Sequence, residues 1–546
     1  MSAARLPRAQ APGRRPALLV AFAAAAFLAF PHPLAGRVLD LGLGMGFAAP
    51  ALLVLGLDGL GPARAAGAAF AAGLAAHAAI LHWIYVVTVV YGQAPALVGV
   101  LAPVGLATYA AGFTALFGAA LAACARRGPA SPWAVALLWT ALEHARSFAL
   151  TGFPWATLGY SQHRNPALLG LAGFGGVSVL SFACALGGGA AARAWLDRRA
   201  GRRLAPAVGA ALATLVAAHG LGLAARAPED PPELPRLRVA VLQGNIDQGV
   251  KWSPAWTQQT LEIYEGLSRE ARAQGAEVVV WPESALPGGA APGLPSGRRL
   301  AALARETGAA HVVGAVGLVH DESGRPVQFY DSAFLVDPQG SFTDRYDKSH
   351  LVPFGEYVPL RGLLGGRLSA VARGIAQADV SAGPGPRALA IPGAAAGGAR
   401  AGVPICYELI FPDLVRRFVR DGAEVLFAIT NDAWYGRTGA PYQFLAMTAL
   451  RSAENRVWTA RAANTGVSAI IDARGRVRAR TRLFERDLLV ADVPLRAAPL
   501  GGSFYARHGD LFAAACWLGA AGLVAGAARR EWRGRAAGRR GGRGST

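Results

Sequence analysis

The sequence predicts two kinds of architecture in one chain: a multi-pass α-helical membrane domain of eight spans, and an α/β layered domain set between the seventh span and the eighth. Three observations predict it. Of 546 residues, 53% are hydrophobic and only 16% charged, against about 25% charged in an ordinary soluble chain, and mean hydropathy is +0.31. Eight long apolar runs stand apart from a polar stretch, residues 226–508, where the charged residues concentrate. Within that stretch short β-branched runs alternate with amphipathic ones, the pattern of strands interleaved with helices.

The apolar runs lie at about 17–33, 40–57, 65–90, 97–125, 132–150, 167–194, 205–224 and 509–528. Each is long enough to cross a ~30 Å hydrocarbon layer as a helix. Residues 1–16 form an N-terminal arm, 17–225 a seven-span domain, 509–528 the eighth span and 529–546 a basic tail. The first run follows arginines and ends near small residues, as a secretory signal does. Six further runs follow it at once, so it reads as a retained span. Alanine and glycine dominate the runs, which suits close helix packing in lipid.

The basic residues orient these spans. The chain carries 54 basic and 34 acidic residues, a formal charge of +20. Arg5, Arg8, Arg14 and Arg15 precede the first span, Arg64 lies between the second and third, and Arg126 and Arg127 between the fourth and fifth. Arg193, Arg198, Arg199, Arg202 and Arg203 lie between the sixth and seventh, and Arg529, Arg530, Arg533, Arg535, Arg539, Arg540 and Arg543 follow the eighth. All fall on one side, whereas the opposite connections carry only Arg37 and Arg164. By the positive-inside rule the arginine-rich side is cytoplasmic. Residues 226–508 are then on the outer face, which in a bacterium is the periplasmic side of the inner membrane. Basic charge placed this way is an orientation signal, so no nucleic-acid partner is expected.

The outer domain opens with a proline- and acid-rich linker, RAPEDPPELPR at 226–236. Strands are expected at 237–246, 277–284, 311–318, 330–340, 401–409 and 424–432, and again in WTARAANTGVSAIID and LLVADVPL. Helices are expected at 255–273, 297–307, 411–421 and 441–455. A domain of this length buries a substantial core by itself.

The reactive residue types fall where the strands end. Glu283 follows VVVWP, Lys348 lies in DRYDKSHLVPFGEYVP, and Cys406 ends GVPIC. α/β folds assemble sites at such junctions. Taken singly, each residue has a plainer reading: an ion-pair partner, a solvated cation, a small buried hydrophobe. Together they make a coherent set, with a thiol nucleophile, a carboxylate to take its proton, and a cation to lower the thiol pKa and stabilise an oxyanion. Fifty-two of the 54 basic residues are arginine, so the two lysines stand out. Lys251, beside Trp252, reads as an interfacial cation. Of the four cysteines, Cys124, Cys184 and Cys516 lie in apolar runs, so neither a disulfide framework nor a zinc cluster is expected. Ionisable Glu143, His144 and Arg146 near the end of the fifth span read as side chains snorkelling to the interface.

WPES at 281–284, DKSHLVPFGEYVP at 347–359 and GVPICYELIFPD at 402–413 resemble the three signature regions of the nitrilase, or carbon-nitrogen hydrolase, superfamily. The resemblance implies an αββα sandwich with a Glu-Lys-Cys triad, here Glu283, Lys348 and Cys406. With WTALEHARS at 139–147, LTGFPWATLGYSQ at 150–162, QGNIDQGVKW at 243–252 and TNDAWYG at 430–436, the chain resembles the apolipoprotein N-acyltransferases, the membrane branch of that superfamily, from about residue 15 to 528.

That resemblance implies a two-step reaction. Cys406 takes an acyl chain from a membrane phospholipid as a thioester, and the α-amino group of the N-terminal diacylglyceryl-cysteine of an apolipoprotein then accepts it. Glu283 would be the general base and Lys348 the oxyanion cation. Glu356, in PFGEY, would position them or form a buried structural ion pair. Tyr407, Glu408, Trp252 and Trp434 would lie near the substrate entrance, although the two tryptophans also read as core or interfacial aromatics. Residues 361–376 read as an interfacial lid or a surface loop. No metal or other cofactor is implied; the partners are phospholipid, diacylglyceryl apolipoprotein and the bilayer. A membrane-anchored amidase with the same triad is the alternative, and a transporter with an inert outer domain is disfavoured by the scarcity of acidic residues within the spans.

Overall fold

The computed structural model describes residues 14–541, apart from 127, 252, 324, 358, 360–379, 393–397 and 497–501. The chain divides into two compact units: Met1–His82, Pro103–Ala225 and Asp510–Thr546 make the first, and Trp83–Ala102 with Arg226–Gly509 the second.

Helices α1 (Arg14–Leu28), α2 (Gly42–Leu57), α3 (Pro62–Ile80), α4 (Ala96–Cys124), α5 (Pro132–Arg146), α6 (Pro166–Arg199) and α7 (Pro206–Ala224), with a C-terminal helix Leu511–Gly541, fall one in each predicted run. A two-stranded ribbon, β1 (His32–Leu34) with β2 (Arg37–Leu39), joins α1 to α2. Four of these helices start on proline, whose fixed φ suits the first turn and whose missing N–H costs nothing there. At α6 the Asn165 side chain also caps the N–H groups of Ala167 and Leu168.

Five helices, α3, α4, α6, α7 and Leu511–Arg533, are long and apolar enough to cross a membrane. α2 is apolar but shorter, and α1 and α5 have 15 residues each. The runs overstate two helices. α3 stops at Ile80 and a π-helical turn occupies Val86–Tyr91, while after α5 the chain turns through Leu150 at φ +51° and Gly152 at φ +84°.

Small residues do the packing. A Cβ on Gly170 would stand 1.8 Å from the carbonyl of Gly222, and one on Gly222 equally close to that of Ala167, so α6 and α7 approach through bare backbone. Val20, Val216 and Leu518 point outward and are 70%, 74% and 77% exposed, which suits helices that face lipid. Arg146 does not snorkel: it is 3% exposed and bonds His77 Nε2 at 3.0 Å, while His77 Nδ1 meets the Gly73 carbonyl at 2.8 Å. The guanidinium thus ties α5 to α3. His144 faces Asp510 at 3.5 Å.

The second unit holds twelve strands among the described residues. β3 (Arg236–Gln243), β4 (Val278–Val280), β5 (Ala310–His320), β6 (Pro326–Val336) and β7 (Phe342–Asp347) come first; β8 (Ala388–Ile391), β9 (Ala399–Gly402), β10 (Val425–Thr430), β11 (Trp458–Ala463), β12 (Ala469–Ile471), β13 (Val477–Arg480) and β14 (Asp487–Pro494) follow. They form two six-stranded sheets, ordered β14-β3-β4-β5-β6-β7 and β13-β12-β11-β10-β9-β8. β3 runs parallel to β4, β4 to β5, β9 to β10 and β10 to β11. Helices α8 (Pro254–Ala273) and α9 (Pro295–Thr307) bury Tyr264, Leu267, Leu300 and Leu303 against Leu242, Val279 and Val313 of the first sheet. α10 (Pro412–Arg420) and α11 (Ala440–Asn455) lie on the second sheet. Strands covered on both faces read as unbroken apolar runs, as VVV and VLFAIT do. The two sheets meet face to face, where Ser468 and Thr481 donate to Gln243 Oε1. The four-layer αββα order is the one expected. The predicted strand 401–409 is shorter, because Cys406–Ile410 winds into a 3₁₀ turn.

Arg461 and Asp432 form a wholly buried ion pair at 2.6 Å, with Arg461 also bonded to Thr448 Oγ1 and the Val467 carbonyl. Arg461→Met would leave Asp432 charged and unpaired. It should cost about 3–5 kcal/mol, read as a lowered unfolding midpoint of the detergent-solubilised protein; an unchanged midpoint would contradict this account of the core.

Candidate active site

Glu283, Lys348 and Cys406 are presented by three separate turns. β4 ends in Trp281, buried and stacked on Tyr264 with centroids 4.9 Å apart. Pro282 and Glu283 then cross over β5 at Gly314, where a Cβ would come within 2.2 Å of the Pro282 carbonyl and 2.7 Å of Glu283 Cα. Only a glycine lets the glutamate backbone lie that low. Lys348 follows β7, its N–H held by the Asp331 carbonyl of β6 at 2.9 Å. Cys406 sits at φ +47°, directly after Ile405, which bridges to Ile429 of β10. A non-glycine residue in this region is strained and persists only where its surroundings fix it.

The three turns converge on one ammonium. Lys348 is 0% exposed, and its Nζ lies 3.3 Å from Glu283 Oε1, 3.3 Å from Asp331 Oδ2 and 2.5 Å from Glu356 Oε1. Oxygens of these three carboxylates all lie within 4.8 Å of one another, a donor set that suits a cation. The lysine ammonium lies within bonding reach of all three and is that cation. Burial opposes its charge, but Glu356, Glu283 and Asp331 outweigh burial and hold its pKa well above the ordinary value.

Burial also opposes ionisation of Glu283. Lys348, a hydrogen bond from Asp331, Lys251 and the Cys406 thiol outweigh it, so the carboxyl stays below the usual range. Its second oxygen accepts the Asn431 N–H at 2.7 Å. Burial and the Glu283 charge push the Asp331 carboxyl well above the usual range.

Cys406 is 8% exposed and hydrogen-bonds the Glu283 carboxylate. Burial and that neighbouring negative charge hold the thiol well above its ordinary pKa, although Lys348 and Thr430 pull it down. Lys348 lowers the thiol pKa as expected, but burial and the Glu283 charge outweigh it and the net shift is upward.

The supporting residues sort differently from the sequence reading. Glu356 accepts the Val352 N–H at 2.8 Å and bonds Lys348, so it anchors the lysine to its own loop. Glu408 is 0% exposed and faces no entrance. Its Oε1 accepts Ser349 N at 2.7 Å, Ser349 Oγ at 2.9 Å, His350 N at 3.2 Å and Tyr346 OH at 2.7 Å, and its Oε2 accepts Ile405 N at 2.8 Å. It clamps the Lys348 loop to the Cys406 turn. Tyr407 is buried against Phe411 and His350. Trp434 is half-buried and edge-on to Tyr91 at 6.3 Å. Trp252 and the whole of 361–376 lie outside the described residues, as does any lid there.

Lys251 is corrected most. It is no interfacial cation: it is 4% exposed, and its Nζ donates to the main-chain carbonyl of Glu283 at 3.2 Å. Asp331 and Asn431 were missed altogether. The one available signal was an aspartate in the middle of the otherwise buried strand YDSAFLV; nothing local marked the Asn431 backbone.

With the geometry in view, the chain matches two families: the carbon-nitrogen hydrolases over residues 238–498 and the apolipoprotein N-acyltransferase N-terminal domain over 17–190. It is 41% identical over 492 residues to an apolipoprotein N-acyltransferase of Geobacter metallireducens, covering 88% of this chain and 90% of that one. It is 36% identical over 451 residues to the enzyme of that name from Pseudomonas syringae pv. tomato (81% and 85%), and 33% identical over 452 residues to that from Vibrio cholerae (81% and 85%). Among solved structures, a nitrilase-superfamily amidase from Nesterenkonia is similar at 22% identity, with a TM-score of 0.36, over 48% of this chain and 92% of that one.

Three carboxylates around a point charge leave no room for a planar guanidinium. Lys348→Arg should therefore lower turnover by at least ~100-fold, comparable to deleting an oxyanion-hole donor. Near-normal rates in Lys348→Arg would show that charge alone suffices.

Proposed function

Because the chain belongs to the apolipoprotein N-acyltransferase family, we propose that it moves an acyl chain from a membrane phospholipid, through a thioester on Cys406, to the α-amino group of the N-terminal diacylglyceryl-cysteine of apolipoproteins. The observation that carries this reading is the convergence of three buried side chains, Cys406, Glu283 and Lys348, with Lys348 Nζ 3.3 Å from Glu283 Oε1.

In the first step Sγ attacks the ester carbonyl as its proton passes to Glu283. The tetrahedral oxyanion forms near Lys348 and the main-chain N–H groups after Cys406. Collapse breaks the ester C–O bond, and the proton on Glu283 goes to the departing oxygen, releasing lysophospholipid. In the second step the neutral amine attacks the thioester carbonyl and Glu283 takes a proton from it. The C–S bond then breaks and that proton returns to the sulfur, so the enzyme is regenerated. Thioester to amide is downhill, and no step calls for a metal or another cofactor.

Both substrates are held in lipid by their acyl chains, which explains why the catalyst is anchored there. The eight apolar helices cross the bacterial inner membrane with both termini in the cytoplasm and 226–508 on the periplasmic side. The arginine distribution supports this orientation.

Two outcomes test the reading. Incubated with phospholipid alone, the protein should gain an acyl mass that hydroxylamine removes. Cys406→Ala should abolish the gain, while Cys124→Ala, Cys184→Ala and Cys516→Ala should keep it; an adduct surviving Cys406→Ala would refute the nucleophile. Alkaline phosphatase fused after the 226–236 linker should be active and fused after residue 530 inactive, and the reverse pattern would overturn the orientation.

A further inference from the structure

Lys251 enters the site on a loop tied to it at three points. After β3 the chain is held by Asn464, whose Oδ1 accepts the Ile246 N–H at 3.0 Å. Gln248 Oε1 accepts Asn431 Nδ2 at 2.7 Å, and Lys251 Nζ reaches the Glu283 carbonyl. Asn431 in turn donates its main-chain N–H to the Glu283 carboxylate. The loop, the β10 turn and the Glu283 turn therefore move as one body.

Charge balance sets the task of the ammonium. The cluster around Cys406 contains Glu283, Asp331 and Glu356 on the acidic side, with Lys348 as the central cation. Asp432 is neutralised separately by Arg461. Three carboxylates surround one central cation, and Glu283 and Lys348 are buried where an excess of negative charge is costly. Lys251 supplies a second positive charge. The ionisable groups it faces are Glu283, Asp331 and Cys406, one each from the β4 turn, β6 and the Cys406 turn.

We propose that Lys251 is a positioning residue of the acyl-transfer site: its ammonium fixes the main chain of the base Glu283 and adds a second positive charge beside the buried carboxylates, so that negative charge forms on the sulfur and the oxyanion at lower cost. The inference rests on the acyltransferase reading for the reaction it serves. Burial lowers the Lys251 pKa to about 8, against the pull of Glu283, Asp331 and Cys406. The charge is therefore half lost at about pH 8, nearly complete about a unit below and nearly gone about a unit above.

The test uses full-length protein in detergent, with two readouts. One is the rate of Cys406 acylation by phospholipid as a function of pH; the other is alkylation of Cys406 by iodoacetamide at one pH, which needs no lipid. Lys251→Met should slow acylation by about 10–100-fold. It should also raise the pH of the acidic limb by about one unit, because Glu283 loses a neighbouring cation. Lys251→Arg keeps the charge, so it should restore the acidic limb and move the alkaline fall upward from about pH 8. Alkylation should slow about tenfold in Lys251→Met and recover in Lys251→Arg.

A purely packing role would alter rates in both variants and move neither limb. Limbs at their original positions in Lys251→Met, or equal defects in the two variants, would overturn the proposal. Should Lys251→Met fail to accumulate, the alkaline limb of Lys251→Arg decides alone. Altered alkylation without any acyl adduct would uphold the role of Lys251 while refuting phospholipid as donor.

Discussion

An ammonium buried away from water has to be surrounded by negative charge, and the centre of the second unit is arranged to meet that condition for Lys348. Its three carboxylates come from distant parts of the chain: the turn after β4, the middle of β6 and the loop after β7. Their convergence costs mutual repulsion, because like charges this close cannot all ionise. The conflict falls unequally: Asp331 is pushed well above the usual carboxylate range while Glu283 is held below it. Glu283 stays ionised in consequence, and a base kept ionised by a fixed cation is ready for the thiol that hydrogen-bonds it. Burial and the same negative charge hold the Cys406 thiol above its ordinary pKa.

Such a cluster works only if the turns bearing it cannot drift, and two buried carboxylates outside the chemistry see to that. Glu408 takes donors from both the Lys348 loop and the strand end before Cys406. One side chain thereby fixes the distance between cation and nucleophile. On the far side Asp432 accepts from Thr430 and from Arg461, which reaches it from β11. Cys406 is held between these two anchors at a backbone conformation it would not choose by itself. The strain at the nucleophile is offset by hydrogen bonds several residues away, which is why neither anchor needs to meet substrate.

Much of this was legible in the sequence, in proportion to how local each signal is. Apolar runs announce helices because hydropathy is a property of contiguous residues, and Glu283, Lys348 and Cys406 each sit in a distinctive short motif at a strand end. The ends of the helices were less legible: VVTVVY is as apolar as a span but rich in β-branched residues, and it forms a π-helical turn where the run suggested continuing α-helix. Asp331 and Lys251 were illegible for another reason. Each owes its role to a partner from another part of the chain, and Lys251, read beside Trp252, looked like a surface cation until the loop that carries it is seen folded over the Glu283 turn. Glu408 was noticed but misread, because five donors to one carboxylate come from residues up to 62 positions apart in the chain.

The same gap between sequence order and contact bears on what counts as the catalytic unit. The polar stretch 226–508 looks self-sufficient by composition, yet Trp83–Ala102, which runs from the end of α3 into the first turns of α4, belongs to the same compact unit. Trp83 packs edge-on against Tyr435 at 5.0 Å, and Val86 lies where a Cβ on Gly436 would meet it at 3.0 Å. Tyr435 is buried, its phenol among the charged groups Cys406, Asp432 and Glu283 face, and it ends the 3₁₀ turn that follows β10. A segment that leads into α4 therefore packs on the turn that carries Tyr435. Composition divides this chain at residue 225, but the packing of the second unit does not, because that unit is complete only with the twenty residues Trp83–Ala102.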